Sequence, residues 1–522
     1  MELVYLWVED YKNIKKQGFN FSPRFECTFY DEYEKDENGK EKLKDNCKLE
    51  IKPKKYQSIF PNNINVTAIV GENGTGKSNL LELISNIGYY EDPYRKKEYP
   101  ASFSELIHIT VYYDRLKNKL YIYLKNLTVK INNKSSIIEE ETTNESIQKI
   151  LIRPTPSHSQ QEYLLLLDFL RNNNMNFPFE IPKIINFGIH HDYFDLLELV
   201  KNKEFDFHEY YNPFKENQII RLKIFHILLL LAYLKNYKID FDIQASINHD
   251  DMILDLESKI DENIKLKIRS FIQTPLENFS VTTDQYVNIK KVPNDFFKTY
   301  IEIIKRKNND ELLDFKGKNV FNFDMYPKMS DGQYQLSYIF NTIHSQIIKD
   351  TIILCIDEGE NYLHPNWQKK YINYLYQFFK DNFSNIQIHI ILTSHSPFIL
   401  SDLPKENVIF LENAEQKYPF KNKQTFGANI HTLLSDGFFM RDGLMGEFAK
   451  EKINDVYRFL TDEESNINTK EEAENIINLI GEPLIKRQLV DIYNKKFQVK
   501  SKDEIIQELQ NKIAQLEKSQ ND

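Results

Sequence analysis

The chain has 522 residues, 41% of them hydrophobic and 28% charged, and a formal net charge of −10. That length suits one large α/β domain with an insertion, or two to three smaller domains, and 36 Phe with 31 Tyr supply a substantial core. The acidic balance argues against a protein that coats nucleic acid over its whole surface, and three cysteines without metal-ligand spacing (Cys27, Cys47, Cys355) exclude a disulfide framework.

In chain order, ELVYLWVE and FNFSPRFECTFYD read as strands joined by a turn at Gly18. A charged loop, Glu32 to Asp45, connects two strands, and Lys52-Pro53-Lys54-Lys55-Tyr56 reads as solvated basic surface. The N-terminus lacks the small-residue cleavage site of a signal peptide. Residues 67–84, TAIVGENGTGKSNLLELI, carry a β-branched run into Gly71-x-x-x-x-Gly76-Lys77-Ser78 and then a helix-like stretch. This is the spacing of a phosphate-binding loop. Gly71, Gly74 and Gly76, with Asn73 and Thr75 between them, let the backbone N–H groups turn inward on phosphates. The helix opening at Lys77, Ser78 and Asn79 adds its positive end. In such a loop Lys77 would reach the β- and γ-phosphates of a nucleoside triphosphate and Ser78 would offer a hydroxyl to Mg²⁺.

Residues 104–131 alternate apolar and polar side chains and predict a hairpin or meander. From about 135 to 315 several stretches carry helical periodicity: QQEYLLLLDFLRNN, FDLLELVKN, NQIIRLKIFHILLLLAYLKN and DDMILDLESKIDENIKLKIRSFI. No heptad register runs through them, which excludes a long coiled-coil arm. They predict a helical subdomain inserted into a nucleotide-binding fold. The apolar run Ile224 to Leu234 is too short to span a bilayer and suits a buried helix, so a cytoplasmic protein with no membrane partner is expected. Near the end, Ile506, Leu509, Ile513 and Leu516 share one helical face. Such a helix either mediates oligomerisation or packs on its own domain.

A phosphate loop needs an acidic strand. TIILCIDE (351–358) ends in Asp357, placed for the Mg²⁺ shell, and Glu358, placed to orient the attacking water. Upstream, MSDGQ (329–333) opens a helix-like run with Leu336, Ile339, Ile343 and Ile347 on one face. By itself Ser330 could be no more than a helix cap. Downstream, IHIILTSHSPFILSDLP (388–404) brings His395 to a strand end.

In this order the four motifs resemble an ABC-type ATPase head. The fold expected is α/β, an ABC/SMC-like head with a mixed and parallel sheet core, flanking helices and the inserted helical subdomain. The resemblance implies that Ser330, Gly332 and Gln333 form a signature motif reaching ATP held by a second subunit, and that His395 is the switch histidine. GENGTGKSNLLE looks like the soluble SMC/RecF-like branch. Glu360-Asn361-Tyr362-Leu363-His364-Pro365-Asn366-Trp367 resembles OLD-type and defence ATPases, with Leu363-His364 where a D-loop would pass. Residues 425–434 and 443–452 resemble the tail of Septu-type and retron-associated antiphage ATPases. That resemblance implies a homodimer or higher oligomer working with a separate HNH-type nuclease, with DNA, RNA or a retron component as further partners. His190-His191, after the strand-like IPKIINF, falls where a Q-loop would lie, without its glutamine.

The expected division is 1–134 for the N-terminal half of the head, 135–315 for the insert, 316–435 for the C-terminal half, and 436–522 for a helical end. The leading expectation is an ATPase regulating a nuclease in antiphage defence. The alternatives are an SMC/RecF-like repair clamp that binds DNA itself and a scaffold that binds ATP structurally.

Overall fold

In the computed structural model of the chain the described residues are 1–87 except 38, 106–133, 147–153, 328–438 except 421 and 422, and 443–497, with short stretches between 138 and 326 and between 506 and 516. They divide into two compact units, Met1–Phe439 and Met440–Asp522.

The first unit begins with strands β1 (Glu2–Tyr11), β2 (Ile14–Asn20), β3 (Phe25–Tyr30), β4 (Tyr33–Lys35), β5 (Glu41–Leu43), β6 (Cys47–Pro53) and β7 (Ile64–Gly71). Helix α1 (Lys77–Asn86) follows, then β8 (His108–Asp114), β9 (Lys119–Lys125), β10 (Val129–Asn133), β11 (Ile138–Glu140) and β12 (Gln148–Ile152). The order continues with β13 (Ile184–Ile189), β14 (Asp242–Ile247), β15 (Met252–Glu257), β16 (Val287–Asn288) and β17 (Phe321–Tyr326). Helix α2 (Asp331–Gln346), β18 (Thr351–Ile356), α3 (Tyr371–Asn382), β19 (Gln387–Ser394), β20 (Val408–Glu412) and β21 (Glu415–Lys417) follow, with shorter helical turns between and after them.

The sheet that matters for function runs β12-β18-β19-β7-β20-β21. Its first five strands are mutually parallel and β21 closes one edge antiparallel. Both faces are buried, which is why these strands are continuous apolar runs. Ile352, Leu354 and Ile356 of β18 pack on one side with Leu336, Ile339 and Ile343 of α2 and Leu375 and Phe379 of α3. Ile353 and Cys355 face the other side, where Leu80, Leu81, Leu83 and Ile84 of α1 lie. Each such side chain contributes about 1.5–3 kcal/mol on burial.

A second sheet, β11-β9-β8-β1-β2, shares its inner face with α1 through Leu3, Leu6, Val8 and Tyr112. Its outer face packs against β3 and β6 through Trp7, Phe29, Leu49 and Ile51. His389 of β19 joins the two sheets. Its Nδ1 accepts from Leu3 N at 3.0 Å, and its Nε2 lies 2.9 Å from Thr67 Oγ1, whose hydroxyl donates to Phe21 O at 2.8 Å. Burial pushes the imidazole pKa well down, so the ring works here as a neutral bridge.

Several expectations need correction. The first hairpin turns at Lys12-Asn13, with Lys12 at φ 54°, whereas Gly18 sits inside β2 opposite Trp7. Its hydrogen side chain serves packing, because a Cβ there would lie 2.0 Å from Tyr5 Oη and 2.7 Å from Tyr5 Cζ. The charged loop after Glu32 contains a small hairpin, β4–β5. Residues 108–125 do form a hairpin, but β10 leaves it to pair parallel with β6.

The helical reading of 135–315 is broken by strands. β12 is a member of the central parallel sheet, past the boundary expected at 134/135, and MILDLE is β15 rather than helix. Leu166, Phe169 and Leu170 of QQEYLLLLDFLRNN do pack against the central core. The other stretches read as helical, including Ile224 to Leu234, lie outside the described residues. Among the described residues no helix is long and apolar enough to cross a membrane.

The second unit is built from α4 (Glu447–Leu460), α5 (Lys470–Leu479) and α6 (Pro483–Phe497) around Val456, Leu460, Ala473, Ile477 and Leu489. Ile506, Leu509, Ile513 and Leu516 are exposed, so within this unit they do not join that core.

Gly18→Ala is expected to destabilise the first unit by about 1–3 kcal/mol through overpacking. Calorimetry should show Tyr5→Leu in the same chain recovering part of the loss; a silent Gly18→Ala would contradict the packing role.

Candidate functional site

The loop after β7 is shaped by close approach. A Cβ on Gly71 would meet Leu411 O of β20 at 2.3 Å, so only glycine lets β7 run past that strand. Gly76 caps α1 at φ 97° and lies against the Asn13 amide, where a Cβ would sit 3.0 Å away. The tip of the β1–β2 hairpin thus leans on the loop: Asn13 Nδ2 lies 3.4 Å from Gly74 O and Asn79 Nδ2 donates to Asn13 Oδ1 at 2.8 Å. Thr75 Oγ1 closes the turn on Glu72 O at 2.9 Å, while Asn73 and Gly74 are exposed on the loop. Lys77 is buried, and its Nζ donates to the carbonyls of Gly71 (3.0 Å) and Glu72 (2.9 Å). Burial pulls the Lys77 pKa down, opposed by Glu358, Asp357 and Glu360.

Parallel strands deliver their C-terminal ends to one edge of the sheet, and there β18 and β19 complete the site. Asp357 Oδ1 accepts from Ser78 Oγ at 3.0 Å and from Thr393 Oγ1 at 2.6 Å. Thr393 Oγ1 in turn accepts from Glu358 N at 2.9 Å. Glu358 has a left-handed backbone, φ 47°, and its Oε2 accepts from Asn361 Nδ2 at 2.8 Å. The other oxygen, Oε1, lies 3.3 Å from His395 Nε2. Burial, reinforced by Lys77, lowers the His395 pKa, while Glu358 opposes the shift. The imidazole is therefore neutral near pH 7.

The backbone at His395 is fixed by Glu360. This carboxyl is buried, and its Oε1 accepts from Ser394 Oγ at 2.5 Å and from His395 N at 3.0 Å. Burial raises its pKa. The structure therefore brings Gly71, Gly76, Lys77, Ser78, Asp357, Glu358 and His395 together. Ser78 Oγ and Asp357 Oδ1 are hard oxygen donors side by side, a set that suits Mg²⁺. Among the described residues no group of three or more His, Cys, Asp and Glu is placed to hold a metal by itself. The ion would share this pair with phosphate oxygens and screen their charge.

The signature stretch is placed differently. Ser330 caps α2 in a capping box: Gln333 N donates to Ser330 Oγ at 3.4 Å, and Ser330 N donates to Gln333 Oε1 at 2.7 Å. Both side chains are engaged within the cap, and Ser330 is exposed. Gly332 packs against the backbone of Tyr362, where a Cβ would come within 2.7 Å of the carbonyl oxygen. Tyr362 is exposed and left-handed at φ 66°.

The Q-loop expectation also changes. β13, the strand before His190-His191, pairs with β16 and β17 and not with the central sheet, and His190 and His191 lie outside the described residues. The strand beside β18 on the side away from β19 is β12, which ends next to Arg153. Arg153 Nη2 donates to Glu82 Oε2 at 2.7 Å, and its Nε lies 3.7 Å from Asp357 Oδ2. Sequence reading missed Arg153, Thr393, Glu360 and Asn13. Thr393 and Glu360 stand inside motifs already singled out, whereas Arg153 and Asn13 follow no local pattern.

This edge has the parts of a phosphate-binding nucleotide site on a parallel sheet. Residues 232–401 match the family described as "AAA domain, putative AbiEii toxin, Type IV TA system". That segment takes in Ser330, Asp357, Glu358 and His395, while residues 71–78 lie outside it. Among solved structures, the Smc head bound to the C-winged helix domain of ScpA is similar at 10% identity and TM-score 0.24, over 80% of this chain and 96% of that one. The Smc head with an extended coiled coil bound to the C-terminal domain of ScpA, derived from Pyrococcus furiosus, is similar at 12% identity and TM-score 0.23, over 80% and 95%. Comparison with curated proteins gave no match.

Two measurements test the geometry. Thr393→Val removes the hydroxyl that joins Asp357 to the Glu358 backbone, and its loss from a buried site should cost about 1–3 kcal/mol of stability, read from the melting temperature. Glu82 tests the charge pairing. Burial alone would raise its pKa, but Lys12, Arg153 and Tyr11 outweigh it and hold the carboxyl at about 2. A depressed carboxylate stabilises the fold above its unfolded pKa, and the contribution fades as pH falls from about 4.5 toward 2. Glu82→Gln should therefore lower the melting temperature at pH 7 and converge on wild type as pH falls through that window; a gap independent of pH would contradict the pairing.

Proposed function

We propose that this chain binds ATP with Mg²⁺ and hydrolyses it at a site that a second copy completes. The observation that carries the reading is the convergence of Ser78 and Thr393 on Asp357, with Glu358 and His395 3.3 Å apart beside them. The loop from Gly71 to Ser78 cradles the phosphates and Lys77 meets their charge. Ser78 and Asp357 hold the metal. Glu358, fixed by Asn361 and the Thr393 hydroxyl, orients water, and neutral His395 accepts a hydrogen bond from that water or donates one to the terminal phosphate.

Composite assembly is supported by α2. Its N-terminus presents the positive end of the helix dipole beside an exposed Ser330, features that suit an anion presented from outside the chain. The regulatory reading rests on the resemblance of residues 360–367, 425–434 and 443–452 to defence ATPases. In that reading, closure and opening of the dimer control a separate HNH-type nuclease in a cytoplasmic antiphage complex of the Septu or retron-associated kind.

Three results are expected. Glu358→Gln should lower ATP turnover by about 10²–10³-fold while nucleotide still binds; unchanged turnover would remove Glu358 from the water-positioning role. Lys77→Ala and Ser330→Arg should each be inactive alone, and mixing them should restore activity, because one of the two sites in the mixed dimer is intact. Mixed dimers that form without any recovered turnover would rule out completion in trans. Co-expression with an HNH nuclease from the neighbouring reading frame should give a complex whose cutting responds to ATP, whereas salt-sensitive DNA binding by the chain alone would favour the clamp reading.

A further inference from the structure

Asp357 divides its two oxygens between two kinds of partner. Oδ1 faces the hydroxyls of Ser78 and Thr393, at 3.0 and 2.6 Å, while Oδ2 faces the guanidinium of Arg153 at 3.7 Å. Arg153 is itself held from the other side, because its Nη2 donates to Glu82 Oε2 at 2.7 Å. Glu82 is also paired with Lys12 at 2.8 Å and with the Tyr11 hydroxyl at 3.0 Å. Glu82 thus has cationic support without Arg153, whereas Asp357 has Arg153 as its paired cation. The guanidinium is a permanent charge with a planar fork, suited to bridging two carboxylates. It comes from the end of β12, locked beside β18 by Asp357 N donating to Ile152 O at 2.9 Å.

A divalent cation seated on Ser78 and Asp357 has to share that carboxylate with a fixed positive charge. Like charges a few ångströms apart repel even near a protein surface. The pair is partly screened, since the Arg153 side chain is 46% exposed, but it still weakens the carboxylate's attraction for a lone metal ion, and the triphosphate's own negative charge favours the metal's entry. We propose that Arg153 is a positioning residue that makes divalent-metal binding at Asp357 conditional on nucleotide. It holds the Asp357 carboxylate with Oδ1 toward Ser78 and sets how much Mg²⁺ the site demands. This rests on the ATP-binding reading above and adds to it a residue outside the four sequence motifs.

The test uses the full chain and Mn²⁺ as the probe, with free Mn²⁺ measured by electron paramagnetic resonance with and without a non-hydrolysable ATP analogue. Wild type should bind Mn²⁺ weakly alone and much more tightly with the analogue. Arg153→Ala and Arg153→Gln should bind Mn²⁺ without nucleotide about tenfold more tightly than wild type, and should need less Mn²⁺ for half-maximal analogue binding. Arg153→Lys, which keeps the charge, should stay within about threefold of wild type. Circular dichroism of each variant reports whether the fold is intact, and having two neutral variants guards against one failing to fold. A purely structural arginine would weaken metal and nucleotide binding together. If folded Arg153→Ala and Arg153→Gln bind Mn²⁺ alone no more tightly than wild type does, the proposal is overturned. If wild type takes up no analogue at all, the ATP-binding reading fails instead, and the two failures are told apart by that first titration.

Discussion

Everything at the functional edge depends on one carboxylate being reachable from three directions. Asp357 lies at the end of β18, flanked by β12 on one side and β19 on the other, with the helix after β7 presenting Ser78 across the groove. A buried carboxylate is stable only when its lone pairs are satisfied. Here the hydroxyls of Ser78 and Thr393 donate to Oδ1, and the guanidinium of Arg153 stands 3.7 Å from Oδ2 as an ion-pair partner, each from a different element. Moving any of these strands by one residue would send the partner side chain to the opposite face of the sheet. Strand register and site geometry are therefore one constraint.

The second sheet contributes to the same edge from the outside. Its inner face sandwiches α1, and its first hairpin lays Asn13 and Lys12 over the phosphate loop and Glu82. The loop is consequently braced on both sides, by Leu411 of β20 within the sheet and by the hairpin tip above it. His389 joins these layers through neutral hydrogen bonds, which suits a position deep between two sheets where a charge would be costly.

Much of this was legible because the signals are local. The glycine spacing of 71–78 and the apolar runs of β18 and β19 each fit in one short window, and the order of the motifs implied one sheet edge. What escaped depends on tertiary context. Gly18 looks like a turn residue, yet it is glycine because the Tyr5 ring lies over it. β12 reads poorly as a buried strand because it contains Lys149, whose Nζ nevertheless donates to Ile87 O and whose pKa burial pushes down to about 7. With β12 unrecognised, nothing could point to Arg153. MILDLE fits a strand or a helix equally well over so few residues, and its pairing with β14 decides.

The contact between Gly332 and Tyr362 has a mechanical consequence. From Glu358 to Leu363 the chain makes two consecutive tight turns, Asn361 N to Glu358 O and Leu363 N to Glu360 O, both at 3.1 Å. The same segment then meets the first turn of α2 backbone against side-chain-free backbone, with no room for a methyl group. Glu358 and Ser330 are therefore joined by a short, stiff linkage rather than by a loop that could absorb displacement. A displacement of the first turn of α2 would therefore meet the Glu358–Leu363 segment directly, through the close approach of Gly332 to Tyr362.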